Sequence, residues 1–284
     1  MAARTLDPPA RAALVALLER PKFELIPLRN AVDQAAFLPA GATVSVTASP
    51  GRGIEATIEL CERLAGAGFQ AVPHLAARMI ADRRHLRTVL DRMTAAGVAR
   101  AFVVGGDADR PGVFLDGLGL LRALAGLEHQ LVEIGVPCYP QGHPDIPDER
   151  LLEALADKAP YVQYMTTQMC FDPGALGRWL ALRRADGIRL PVQVGLPGVA
   201  ELHRLMLISA RIGVADSRRF LAKNGRLVGR LVRPGGYSPH RLLEDLAPTF
   251  ADPAADVRGL HIYTFNEVQA TEALRREYLA WLAA

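Results

Sequence analysis

Eight short apolar runs, each followed by a longer stretch, recur along this chain at about 30 residues apart, the size of one βα unit. The runs are Lys22–Leu28, Ala42–Ser49, Ala71–Arg78, Arg100–Asp107, Leu131–Pro140, Tyr161–Phe171, Pro191–Gly198 and Gly259–Asn266. Stretches with helical periodicity include Ile54–Ala67, Asp82–Ala96, Phe114–Leu127, Asp148–Lys158 and Val268–Leu282. Strands that alternate with helices build a parallel sheet, and eight is the number that closes a (β/α)8 TIM barrel. An open doubly wound sheet is the alternative. It calls for a glycine-rich first turn, whereas the first run here ends around Pro27. The expected fold is α/β: a single TIM-barrel domain over residues 1–284, with a helical extension over residues 1–20 and a helical insertion before the last strand.

Composition excludes several other classes. Half the residues are hydrophobic and 22% are charged, so the chain is neither disordered nor a low-complexity repeat. Cys61, Cys138 and Cys170 are too few and too widely spaced for a disulfide framework or a zinc knuckle, which predicts a reducing, cytoplasmic setting. No apolar run reaches the length of a membrane span, and a net charge of +3 does not point to nucleic acid. One stretch, Arg204–Arg241, carries nine lysines or arginines against one aspartate, and reads either as solvated helix faces or as a landing surface for an anion.

In a TIM barrel the chemistry sits at the C-terminal ends of the strands. In order, those ends carry Glu24, Thr47, His74, Asp107, Tyr139, Gln168 and Asn266. Glu24 lies between Phe23 and Leu25, where a carboxylate is costly unless paired or protonated. Burial raises such a pKa, which suits a general acid; the alternative is an ion pair with Lys22 or an arginine on the barrel floor. Asp107 follows Gly105 and Gly106, which let the backbone approach a ligand, or it caps the next turn. His74 and His143 read equally as rim residues. Cys138 with His143 is too sparse for a metal site, so none is expected. PGRG at Pro50–Gly53 offers either a phosphate-binding helix start or a plain loop.

The segments Phe23–Pro27 (FELIP), Ser45–Gly51 (SVTASPG), Pro73–Arg78 (PHLAAR), Val103–Asp107 (VVGGD), Tyr139–Asp145 (YPQGHPD), Thr166–Asp172 (TTQMCFD) and His261–Asn266 (HIYTFN) resemble methylenetetrahydrofolate reductase, in that family's order and near its spacing. The resemblance runs from about residue 20 to the C-terminus. It implies an oxidoreductase that interconverts 5,10-methylenetetrahydrofolate and 5-methyltetrahydrofolate, with NADH or NADPH as hydride donor and FAD as the family's cofactor. Such an enzyme serves one-carbon metabolism, including methionine supply. By the same resemblance Glu24 is the acid that protonates the departing folate nitrogen, and Asp107 bonds the pterin. Gln168 and Thr47 contact folate, while Thr47, His74, Gly106, Tyr139 and His143 lie around the flavin. Partners are folate and a nicotinamide nucleotide, with no nucleic acid or membrane, and a homo-oligomer is compatible.

The chain also departs from the family pattern. Gly105 replaces an arginine, and the flavin-facing positions of the helix after YPQGHPD become Arg150, Glu153, Ala156 and Asp157. Cations are lost and acids gained where a diphosphate would lie, so flavin is expected to bind weakly or not at all, with flavin-free transfer from the nicotinamide as one form. Two other readings are a pterin-binding barrel that transfers a methyl group without redox chemistry and an inactive folate-binding subunit. A costly buried acid at Glu24 argues against the latter.

Overall fold

The computed structural model describes residues 6–143, 145–198 and 239–283. Eight parallel strands close into a barrel in sequential order: β1 (Lys22–Leu25), β2 (Thr43–Val46), β3 (Gln70–Ala76), β4 (Arg100–Val104), β5 (Glu133–Cys138), β6 (Tyr164–Thr167), β7 (Val192–Pro197) and β8 (Val257–Tyr263). Strand β8 returns to β1 with His261 opposite Lys22 and Tyr263 opposite Glu24. The helices of the outer layer are α1 (Pro8–Glu19), α2 (Ala31–Ala35), α3 (Gly53–Gly66), α4 (Arg83–Ala95), α5 (Gly117–Ala125), α6 (Asp148–Lys158), α7 (Pro173–Ala185), α8 (Pro239–Ala251) and α9 (Val268–Ala283). The barrel and the N-terminal helix are therefore as the sequence pattern predicts. Of the basic stretch Arg204–Arg241, all but the last three residues lies outside the described residues, as does the helical insertion expected there.

Local chemistry sets the element boundaries. Helices α1, α4, α5 and α7 each begin after an aspartate whose carboxylate accepts a backbone N–H three residues on: Asp7 from Ala10, Asp82 from His85, Asp116 from Gly119 and Asp172 from Ala175. Pro8 and Pro173 follow two of these caps, where a missing N–H costs nothing. The strands are shorter than the apolar runs that contain them. The first run extends to Leu28, but β1 stops at Leu25, because the Asn266 side chain takes over the pairing of Ile26: its Oδ1 accepts the Ile26 N–H at 2.8 Å and its Nδ2 donates to the Ile26 carbonyl at 2.9 Å. Asn266 itself sits in the left-handed region at φ 59°. This last polar residue of the eighth run is thus a clamp between the loops after β8 and β1.

Outside the barrel, the core is aliphatic. Leu14, Leu18, Ile58, Leu64, Leu86, Leu120 and Leu176 bury the inner faces of the helices against the outer faces of the strands. Inside the barrel the residues are different. Val72, Phe102 and Tyr164 form a small separate cluster there. Gly135 makes room for it, since a Cβ on that residue would stand 2.1 Å from the Tyr164 ring. No helix among the described residues is long and apolar enough to cross a membrane.

Candidate active site

From the floor upward, the barrel interior is a column of polar groups among aromatic rings. At the bottom the ammonium of Lys22, 7% exposed, donates to the Tyr164 hydroxyl at 2.8 Å. Burial pulls the Lys22 pKa down to about 8. Lys22 therefore does not pair with Glu24, two residues along the same face of β1. Glu24 instead faces two histidines. Its Oε2 lies 3.1 Å from His261 Nε2 and 3.7 Å from His74 Nε2, and His74 Nε2 is 2.8 Å from the Ser45 hydroxyl. The His74 ring packs on Phe102, with centroids 4.9 Å apart, and the His261 ring packs on Tyr263 at 4.8 Å.

This packing separates the charges of the three groups. Burial raises the Glu24 pKa to about 7, opposed in part by His74. Burial lowers His74 to about 4, with Glu24 acting against the shift and His261 and Lys22 adding to it. Burial also lowers His261 to about 3, and the Lys22 charge adds to it. Near neutrality both imidazoles are uncharged and Glu24 is poised between its acid and its carboxylate. A carboxyl held half-protonated among neutral donors suits proton delivery to a weakly basic atom.

Above Glu24 the site opens toward the loops. The Tyr263 hydroxyl donates to the Thr167 carbonyl at 3.1 Å, directly before Gln168. The Tyr139 pKa is pushed up to about 12, by burial first and then by Cys138 and Asp107, so Asp107 and Tyr139 share one side of the mouth. Gln168 donates its backbone N–H to the Cys138 carbonyl at 2.8 Å and accepts from Met169 at its side-chain oxygen. The Thr47 N–H bonds to the carbonyl of Leu25, next to Glu24. Gly106 stands at φ 85°, and a Cβ there would press on Ala76 at 3.0 Å, so the turn before Asp107 requires glycine. His143 packs edge-on against Tyr139 at 5.3 Å. The structure thus gathers Glu24, His74, Thr47, Asp107, Tyr139, His143 and Gln168 around one barrel mouth.

His74 also forms part of the wall beside Glu24. His261, Tyr263 and Ser45, which the strand-end pattern does not mark, complete this wall. Their signal in HIYTFN is the alternation of residues 261 and 263 onto the inner face, before the last polar residue of the run, Asn266. The glycines of PGRG form a plain helix start, since the Arg52 and Gly53 N–H groups both bond to the Ser49 carbonyl.

The face of α6 carries little that would hold a diphosphate. Asp148 and Glu149 occupy its first turn, and Glu153, Ala156 and Asp157 are exposed. The cation of its first turns, Arg150, donates to Glu153 at 2.8 Å, and Lys158 stands at its other end. An anionic group at that end would meet acids where helix starts ordinarily attract anions. These residues do not fit a dinucleotide diphosphate.

The closed eight-stranded barrel, with an acid on its first strand and a polar rim, places the chain among proteins of the TIM-barrel class. The family model for methylenetetrahydrofolate reductase matches residues 25–215, most of the chain, and the chain belongs to that family. Among solved structures, a provisionally assigned lyase/mutase from Burkholderia cenocepacia J2315 aligns over 97% of this chain and 86% of that one, at 16% identity and a TM-score of 0.45. A provisionally assigned phosphonomutase from the same organism aligns over 96% of this chain and 99% of that one, at 13% identity and a TM-score of 0.48. Neither likeness bears on the chemistry.

Proposed function

We propose that this chain interconverts 5,10-methylenetetrahydrofolate and 5-methyltetrahydrofolate, with a nicotinamide nucleotide as hydride donor. The observation that carries this reading is the carboxyl of Glu24, buried at the barrel mouth with a pKa near 7 between two neutral histidines. The neutral methylene carbon of the substrate is a poor hydride acceptor. Protonation by Glu24 of the nitrogen that leaves breaks one carbon–nitrogen bond, and the other nitrogen supplies electrons to form an iminium. Hydride then adds to the iminium carbon to give the methyl group, and Glu24 regains its proton from solvent. Asp107 and Gln168, on the rim above Glu24, hold the pterin, with Thr47 at the β1–β2 edge. Gly106, Tyr139, His143 and His74 line the side where the nucleotide ring would stack. The acidic face of α6 supports weak FAD binding or none, and hydride passes directly from the nicotinamide to the folate.

The test is NADH and NADPH oxidation with methylenetetrahydrofolate, with and without added FAD. Folate-dependent oxidation without FAD is the expected result. Oxidation that requires FAD would restore the flavoprotein form of the family. No oxidation, with methyl transfer from 5-methyltetrahydrofolate to an acceptor, would replace the redox reading by the transferase one.

A further inference from the structure

The environment of His261 determines more than the acidity of its neighbour. The residue is 1% exposed, Nε2 is 3.1 Å from Glu24 Oε2, and among the described residues no hydrogen-bonding group reaches Nδ1. A neutral imidazole carries one N–H. If that proton were on Nδ1, a buried donor would face no acceptor, and Nε2 could only accept from Glu24. If it is on Nε2, the donor is used and a bare lone pair remains on Nδ1. Buried donors without partners are the rarer and costlier defect, so the Nε2–H form prevails. Oε2 is then always an acceptor.

We propose that His261 is a positioning residue which, by donating Nε2–H to Oε2, reserves Oε1 of Glu24 for the proton that the acid delivers. The inference rests on the reading of Glu24 as the general acid. The groups that face this carboxyl are His261 and Tyr263 from β8, His74 from β3 with Ser45 of β2 behind it, and Lys22 beneath on β1 with Tyr164 of β6. Tyr139 and Asp107 stand on the mouth side beyond Tyr263. Of these, only His261 lies within hydrogen-bond distance of the carboxyl: His74, at 3.7 Å, is bonded to Ser45 instead. The bond also favours the ionised form, and so limits how far burial can raise the acid.

The experiment follows the infrared carbonyl band of protonated Glu24, identified by its loss in Glu24→Gln, through a pH titration without substrate. In His261→Phe the midpoint should rise by about one pH unit, because the donor to the ionised form is gone. In His261→Gln, whose amide can donate, it should return toward the wild-type value. Nitrogen NMR of the wild-type protein should show the His261 proton on Nε2. In turnover, His261→Phe should lower kcat about 10- to 100-fold with little change in the KM for folate, and its alkaline limb should move with the infrared midpoint. A stable His261→Phe variant with an unmoved midpoint, or a proton found on Nδ1, would overturn the proposal. Should His261→Phe not fold, the wild-type NMR and the His261→Gln titration still decide it. An infrared shift as expected in a protein inert toward folate would leave the His261–Glu24 coupling standing and remove the proposed function instead.

Discussion

Around Glu24 the polar groups are carried on strands and buried; along α6 the charged groups are carried on a helix and face solvent. His261 and His74 are 1% and 9% exposed, and each has a fixed neighbour. The Arg150 and Glu153 side chains are 73% and 61% exposed and bond to each other. The same kind of residue therefore acts on different physical terms in the two regions. In the barrel, desolvation moves the pKa of Glu24 to about 7. On α6 an ion pair in water contributes only about 0.2–1 kcal/mol, and salt weakens it further. On the proposed function, proton chemistry falls where side chains cannot relax, whereas the charges of α6 lie where water screens them.

The largest expected effect tests the buried side of this comparison. Glu24→Gln keeps the shape and removes the proton, so turnover should fall about 100-fold or more while folate binding and the fold persist. Turnover near that of the wild type would take Glu24 out of the mechanism. The same variant should be more stable than the wild type, but only at high pH. In the folded state the Glu24 pKa is about 7 against an ordinary 4.5, so the folded protein holds its proton where the unfolded chain has released it. That contribution is fully present below 4.5 and is lost as pH rises toward 7. Glutamine has no proton to lose. At pH 8 the variant should gain about 3 kcal/mol, which is several degrees in Tm, and at pH 4 almost nothing. Equal Tm differences at both pH values would show that burial does not set the charge of Glu24.

Much of this was legible in the sequence because of how barrels are built. Eight apolar runs at one spacing allow few other closures, and a glutamate between Phe23 and Leu25 on the first of them stands out by its desolvation cost. His261 and Tyr263 were harder to see. An inward histidine one pleat below a strand end looks like any polar residue of a run, and only the closure of β8 onto β1 brings it to Glu24. Asn266 misled for the opposite reason: it stands at the end of its run, yet both ends of its amide are bonded to Ile26. The partner of Lys22 also depended on topology, since Tyr164 is on β6, across the barrel interior.

Between the two regions lies the rim that carries Asp107 and Gln168, and it sharpens the comparison by separating substrates. Asp107→Asn and Gln168→Leu should each raise the KM for folate about 10-fold, the cost of one hydrogen bond to a charged or polar group, and leave that for NADH nearly unchanged. Equal losses for both substrates would place these residues in the fold of the rim and not on the pterin.

The smallest expected effect tests the exposed side, where charges were lost. Gly105→Arg with Ala156→Arg and Asp157→Lys restores three cations. All three positions accept them sterically: a Cβ at Gly105 meets nothing within 4 Å, and Ala156 and Asp157 are exposed. Each exposed contact to a phosphate contributes about 0.2–1 kcal/mol, so the triple variant should bind FAD about 10-fold more tightly than the wild type, less so as salt rises. Glu153→Gln, which frees Arg150 from its partner, should give a smaller gain of the same sign. Equilibrium titration of FAD by absorbance at about 450 nm, the ordinary band of oxidised flavin, measures both. Glu24 chemistry should not respond, because its carboxyl is held by strand residues that these substitutions do not touch. A wild-type protein that purifies with stoichiometric FAD would mean that the diphosphate is held by groups away from α6, and the contrast between a retained proton site and a lost nucleotide face would no longer describe the molecule.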